Sequence, residues 1–205
     1  MARRSDHTRE ELKALFVDEA SRQLSQTGLS GFSARDVAKH VGYSIGTLYN
    51  VFGSYDGLML AINGRTLKLW SAYLEARLAE AGEDRIACLV EAYFAFATQN
   101  PRTWIALYEH HMADGGPAPD WYQALAAELM AIVAAEVGAA LPGGDPEAVL
   151  SLSRSLVATV HGHCLFAIHR TFSLLGETDP VGAALSRVRE AIAAASQTSG
   201  GYQGR

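Results

Sequence analysis

Two places in this 205-residue chain gather side chains able to do acid-base or metal chemistry: "EHH", Glu109 to His111, and "HGHC", His161 to Cys164. His110 and His111 are adjacent, and His161 and His163 are two apart, so neither pair shares a face of a helix. A metal site would need both segments to cooperate, and no Glu-x-x-His or paired-cysteine spacing supports one. No nucleophile elbow or phosphate loop accompanies them. The histidines therefore read as hydrogen-bonded core or pocket groups, with His161 placed to pair with Glu109 or orient a ligand. Cys88 and Cys164 sit in apolar helical surroundings and read as reduced structural thiols. Neither a metal nor a cofactor is expected. An enzyme with Glu109, His110, His111 and His161 as acid-base groups stays an alternative without a motif behind it.

A different chemistry belongs to "SARDVAKHVGYSIGTLYNVF", Ser33 to Phe52. Ser33 caps a helix with Asp36 three residues on, and Gly42 can take the left-handed conformation that ends it. Ala38 lets two helices cross closely, and Ser44 caps a second helix of about eight residues. Val37, Val41, Leu48 and Phe52 can face a preceding helix, which leaves Ile45, Gly46, Thr47, Tyr49 and Asn50 near the outer side. So short a helix is marginal on its own. Held by a scaffold, it suits entry into a DNA major groove, with its N-terminal N–H groups free for phosphate.

Nearly every segment has helical spacing and none alternates, so the chain reads as all-α with about nine helices. A capping box, Thr8-x-x-Glu11, opens the first, which presents Leu12, Leu15, Phe16, Ala20 and Leu24 until Gly28. Ser54 begins a long fourth helix, and the others run roughly 84–99, 101–112, 119–141, 146–175 and 180–195. Prolines stand at or near four of these starts, where a missing N–H costs nothing. The division expected is 1–53, a helix-turn-helix unit, 54–197, a helical body, and 198–205, a disordered tail.

Net charge is −5, yet residues 1–65 hold eight Lys/Arg against seven Asp/Glu, a net +1 that leaves −6 for the rest. That balance argues against a whole-body polyanion binder but not against a local DNA surface. No apolar stretch of signal-peptide length follows the N-terminus, so a cytoplasmic protein is expected. The apolar run 148–175 approaches membrane-span length, but Arg154, His161, His163, His169 and Arg170 make insertion expensive. It reads as a buried helix, and no membrane partner is expected.

The ordered set Gly31, Ser33, Val37, Ala38, Val41, Gly42, Ser44, Gly46, Leu48, Tyr49, Phe52 and Leu58 resembles the N-terminal signature of the TetR family of bacterial transcriptional regulators. Asn50 and Val51 stand where that family often has an aromatic or histidine, and Tyr55 stands where it has lysine. The resemblance implies a homodimer that places two such helices in a partly palindromic operator, with Ser33, Arg35, Ser44, Ile45, Gly46, Thr47, Tyr49, Asn50 and Tyr55 at the DNA. Ser44, Thr47 and Tyr49 would position the helix on phosphates, and Asn50 could pair bidentately with adenine. Tyr55 would offer one hydrogen bond in place of the lysine.

It implies as well that the remaining helices enclose a cavity for a small apolar or aromatic effector. Trp70, Tyr73, Phe94, Trp104, Tyr108, His111, Trp121, Leu125, His161 and Cys164 are the candidate lining. Trp104 and "VHGHC" also resemble a TetR subgroup with a tryptophan and a His-Gly pattern in this part. Gly162, mid-helix, implies a close approach by a neighbouring helix or a ligand. The last two helices carry the expected dimer face: Leu152, Leu156, Ala167, Phe172, Leu185, Val188 and Ile192. A ligand-responsive repressor is thus expected, with an architectural DNA-binding dimer lacking an effector as the alternative.

Overall fold

A computed structural model describes residues 7–113 and 115–200. Among the described residues there are ten α-helices, a single 3-10 turn at Leu29–Gly31, and no strand. In order they are α1 Arg9–Thr27, α2 Ala34–Val41, α3 Ile45–Phe52, α4 Tyr55–Ala79, α5 Arg85–Gln99, α6 Pro101–Glu109, α7 Asp120–Ala139, α8 Pro146–Ile168, α9 Thr171–Leu175 and α10 Pro180–Gly200. The chain divides into two compact units, Met1–Leu67 with Asn100–Gln123, and Lys68–Gln99 with Ala124–Arg205. This division falls elsewhere than at the expected residue 53, and it groups α6 with α1 to α3.

The first unit closes around α1. Leu12, Phe16, Ala20 and Leu24 repeat at helical spacing and are buried with Val37, Ala38, Leu48, Leu58, Met59 and Ile62. Leu15, expected on that face, is exposed. Phe16 receives the edges of Tyr43 and Phe52 at 6.0 and 6.1 Å between ring centres. Gln23 is buried, and its amide oxygen accepts the Ser33 N–H at 3.0 Å, which ties α1 to the cap of α2 without leaving a polar group unpaired.

Both turns of the helix-turn-helix are made as their residues dictate. The Ser33 hydroxyl accepts from Asp36 N–H, and Gly42 adopts φ 89°, ψ 23° with its N–H on the Ala38 and Lys39 carbonyls. At the start of α4, a side chain on Gly57 would collide with the Phe52 carbonyl oxygen, so glycine permits α4 to press against the end of α3.

In the second unit α5, α8 and α10 pack on one another. Arg85 of α5 forms a bidentate pair with Glu136 of α7, with both N–O distances at or below 2.7 Å.

Several further expectations are corrected. The helix expected over 101–112 ends at Glu109, where His110 turns to extended backbone and its N–H closes on Ala106. The helix expected over 146–175 breaks at Arg170, which takes the left-handed φ of 57°. Apolar residues stand on both sides of the break, so periodicity alone did not reveal it. The last helix continues through Gly200, so 198–200 are helical, while 201–205 of the expected tail lie outside the described residues. Among the described residues nothing lies within 4 Å of where a Cβ on Gly162 would sit, against the close approach expected there. The expected buried helix around it, α8, is buried only along Ser153, Leu156, Val160 and Cys164. One described helix, α7, is long and apolar enough by length and composition to cross a membrane.

The Gly57 contact makes an unusual prediction. Alanine is the better helix former, yet Gly57→Ala should destabilise by about 1–3 kcal/mol because a backbone carbonyl must move. Thermal unfolding of the two proteins checks this, and an equal or higher Tm would show that the contact is not tight.

Candidate functional site

The eight residues of α3 bury one side chain fully, Leu48. Val51, Phe52 and also Ile45 are half-buried against the core, so Ile45 packs inward where an outward side chain was expected. Ser44, Gly46, Tyr49 and Asn50 remain exposed, Tyr49 at 38%. Ser44 Oγ accepts the Thr47 N–H at 3.1 Å and lies 2.9 Å from Thr47 Oγ1, so the two hydroxyls form the cap. No charged residue lies on α3. Positive charge comes instead from exposed neighbours: Arg35 and Lys39 on α2 and Lys13 on α1.

Tyr55 is partly exposed at the first position of α4, with its ring edge-on to Phe32 at 6.1 Å and to His110 at 6.3 Å. Burial, then the neighbouring Tyr49 and Asp56, push its phenol above the usual tyrosine range. It stays a neutral hydroxyl at physiological pH and supplies no replacement for a lysine charge.

Three polar clasps hold α6 to this reading unit, and the sequence reading identified none of them. At its start, Arg102 donates to the carbonyls of Ser25 and Gln26 at 3.2 and 2.6 Å, capping the end of α1. In its middle, the Ala106 carbonyl accepts from Asn63 Nδ2 at 3.2 Å. Just past its end, the Asp56 carboxylate accepts the Ala113 N–H at 3.0 Å and stands 3.5 Å from His110 Nε2. The His110 side chain is 8% exposed and its Nε2 makes no hydrogen bond among the described residues. Burial lowers the His110 pKa below the ordinary 6.5 more than the Asp56 charge raises it.

The candidate effector residues divide between the units. In the second, Trp70 stacks on Phe96 at 5.6 Å and 9° and meets the edge of Tyr93 at 5.0 Å, and Tyr73 tilts on Phe96. The Tyr93 hydroxyl is 2.9 Å from His161 Nδ1, and burial keeps that imidazole neutral by lowering its pKa. Trp70 Nε1 is buried without a hydrogen bond among the described residues. Phe94 and Cys164 are buried as well, the thiol pushed up to about 12, which makes it inert. Leu125 is half-buried. Tyr93 and Phe96 complete this aromatic cluster and were not among the expected lining residues. Their helical spacing is that of ordinary core, which hid them.

The other four belong to the first unit. Trp104 is buried beside Tyr108, His111 bonds through Nδ1 to the Glu109 carbonyl, and Trp121 is exposed beside Tyr122. No group of three His, Cys, Asp or Glu side chains among the described residues could hold a metal ion. Of the expected dimer face, Leu156 and Val188 are already buried within one chain, whereas Leu152, Ala167, Phe172, Leu185 and Ile192 are half-buried.

The sequence model described as "Bacterial regulatory proteins, tetR family" matches residues 16–62, and that described as "Tetracyclin repressor-like, C-terminal domain" matches 86–191, more than half of the chain. The chain belongs to the TetR family. Its curated relatives include the HTH-type transcriptional regulator BetI of Paraburkholderia phytofirmans, 33% identical over 110 residues, which are 51% of this chain and 56% of that protein. The chain thus spans little more than half the length of the curated relatives it matches. A TetR-family regulator from Streptomyces coelicolor superposes with a TM-score of 0.64 at 18% identity, covering 95% of this chain and 84% of that one. The multidrug binding protein EbrR, complexed with imidazole, gives 0.62 at 22% identity, covering 91% and 96%. At these identities the likeness is one of TetR fold.

His110 and His161 supply a pH prediction. Each imidazole resists protonation when folded and accepts it when unfolded, so their contribution is full above about pH 6.5 and is lost as pH falls toward the lowered folded pKa. Denaturant melts at about pH 7.5 and about pH 5.5 should show His110→Gln losing less stability than the parent TetR protein. An equal loss in both would mean that His110 titrates normally.

Proposed function

We propose that this TetR-family protein is a homodimeric, cytoplasmic repressor that leaves its operator when a small apolar or aromatic molecule binds the helical body. The observation that carries the DNA reading is α3 itself. It is fixed by one buried leucine and a double-hydroxyl cap, and it turns Gly46, Tyr49 and Asn50 outward. Such a helix has no packing reason to be short and exposed, whereas a major groove accepts one. Tyr49 and the capped N-terminus position it on phosphates, Asn50 reads adenine, and Arg35 and Lys39 supply the non-specific attraction. Two-fold symmetry of the protein then matches two half-sites.

The effector reading rests on the cluster of Trp70, Tyr73, Tyr93, Phe96 and His161. It joins aromatic surface to an indole N–H lacking an acceptor and a neutral imidazole-phenol pair, and it suits an uncharged or weakly polar aromatic ligand. The fold likeness to EbrR, a multidrug binding protein, is in keeping with an aromatic effector here. Coupling requires only that the effector-bound form fit the operator worse than the free form. The clasped α6 and the continuous α4 are the elements on which such a preference would act.

Binding to the upstream DNA of its own gene, measured against salt, tests the first half. Asn50→Ala should lose roughly 10–100-fold on the specific site and little on random DNA, and Lys39→Ala should lower the salt slope by about one. Retained specific affinity in both Asn50→Ala and Tyr49→Ala would overturn the assignment of α3. For the effector, a ligand that raises Tm should also release DNA. A library in which no stabilising compound releases operator would instead favour an architectural dimer.

A further inference from the structure

The start of α4 carries a charge that works against a DNA-facing helix end. Ser54 Oγ accepts the Gly57 N–H at 3.0 Å, and a helix N-terminus of this kind attracts an anion. Asp56, in the first turn, already places one there. Its side chain is 18% exposed, and one of its oxygens accepts the Ala113 N–H at 3.0 Å. The other oxygen stands 3.5 Å from Nε2 of His110, the one basic side chain within 4 Å of Asp56 among the described residues. That geometry leaves Nε2 buried without a hydrogen bond among the described residues. Tyr55, which precedes Asp56 and is partly exposed, lies against the same imidazole in a T-shaped arrangement at 6.3 Å.

We propose that Asp56 and His110 form a proton site coupled to operator binding, in which a proton on the imidazole closes the pair and lifts the net negative charge from the place where Tyr55 meets a DNA phosphate. The inference rests on the DNA reading above, which sets Tyr55 at the backbone where a lysine would bring a constant positive charge. Here the charge is conditional. Without the proton the pair carries −1 and repels a phosphate, and with it the pair carries zero. Closing the gap to about 2.9 Å makes a charge-assisted bond, and the Ala113 contact survives because it uses the other oxygen. His110 acts through Asp56 and Tyr55, so it is a positioning residue. The titratable groups around it are Asp56 and Tyr55 from α4, Tyr49 of α3 beside Tyr55, and Glu109 and His111 along its own segment, while Phe32 brings an uncharged ring to Tyr55. Burial opposes the proton most, Asp56 favours it and His111 opposes it, so the imidazole of the free protein is neutral near pH 7. A phosphate brought close adds a second anion and tips the balance toward the proton. By linkage, operator binding and proton uptake then favour each other.

Operator affinity of the full chain at about pH 7.5 and about pH 5.5, at one ionic strength, tests it. On acidification the parent should gain roughly three- to tenfold more affinity than His110→Gln, which corresponds to DNA raising the imidazole pKa by about half a unit to one unit. The other histidines are common to both proteins and cancel in the comparison. Asp56→Asn, whose amide oxygen can still accept the Ala113 N–H, should lose that extra gain, because without the carboxylate the buried imidazole stays neutral at both pH values. Followed directly by NMR, the His110 ring resonances should titrate at higher pH in the operator complex than in the free protein. A histidine with a merely structural role would instead lower affinity by the same factor at both pH values when replaced. Such parallel pH profiles, an extra gain retained in Asp56→Asn, or a His110 titration that operator DNA does not move would each overturn the proposal and leave operator binding itself in place. A parent that binds no specific DNA at either pH removes the DNA reading and this site together.

Discussion

The ring of Phe16 is the contact on which the reading unit depends. It lies fully buried at the middle of α1, and the turn before α3 and the end of α3 meet it through Tyr43 and Phe52. A helix as short as α3 gains almost nothing from its own hydrogen bonds, so its orientation is set by whatever its two ends touch. Here both ends touch one aromatic ring. Leu48 fills the space between, Ile45 and Val51 pack at its edges, and Gly46, Tyr49 and Asn50 stay outside the core. That division of labour leaves Tyr49 and Asn50 exposed to solvent.

Around this core the polar contacts form a second layer with a different purpose. Arg102, Asn63 and Asp56 each join α6 to the reading unit by a charged or amide group reaching backbone atoms of another segment. Apolar packing is non-directional and tolerates sliding, whereas hydrogen bonds to particular carbonyls and N–H groups fix register. A helix joined at its start, middle and end keeps its place along its neighbours. Two atoms among these contacts, Asn63 Oδ1 and His110 Nε2, are buried without a hydrogen bond among the described residues, and such atoms are where an arrangement of this kind gives way first.

Local chemistry was largely legible in the sequence. The capping box at Thr8, the serine caps at 33 and 44 and the left-handed Gly42 are each dictated by residues within five positions, and all appear where the residues place them. The TetR signature was readable for the same reason. What escaped was decided by partners distant in sequence. Nothing near Arg102 shows that it caps α1 some 76 residues earlier. Leu15 has the period of the buried face but lies at its edge, and Ile45 reads as polar-side by its cap yet finds core within reach. The turn at Arg170 lacks glycine or proline, the usual markers, and apolar residues on both sides conceal it.

The close seat of α4 on α3 makes the corner at Gly57 behave as a welded joint. With no side chain between them, the first turn of α4 rests directly on the last carbonyl of α3, and neither helix can swing without the other. A rotation of α4 at this corner therefore has to be accommodated by the end of α3, because two backbone segments in contact cannot pass through one another. The corner is thus set by backbone against backbone, a contact with less slack than one between flexible side chains.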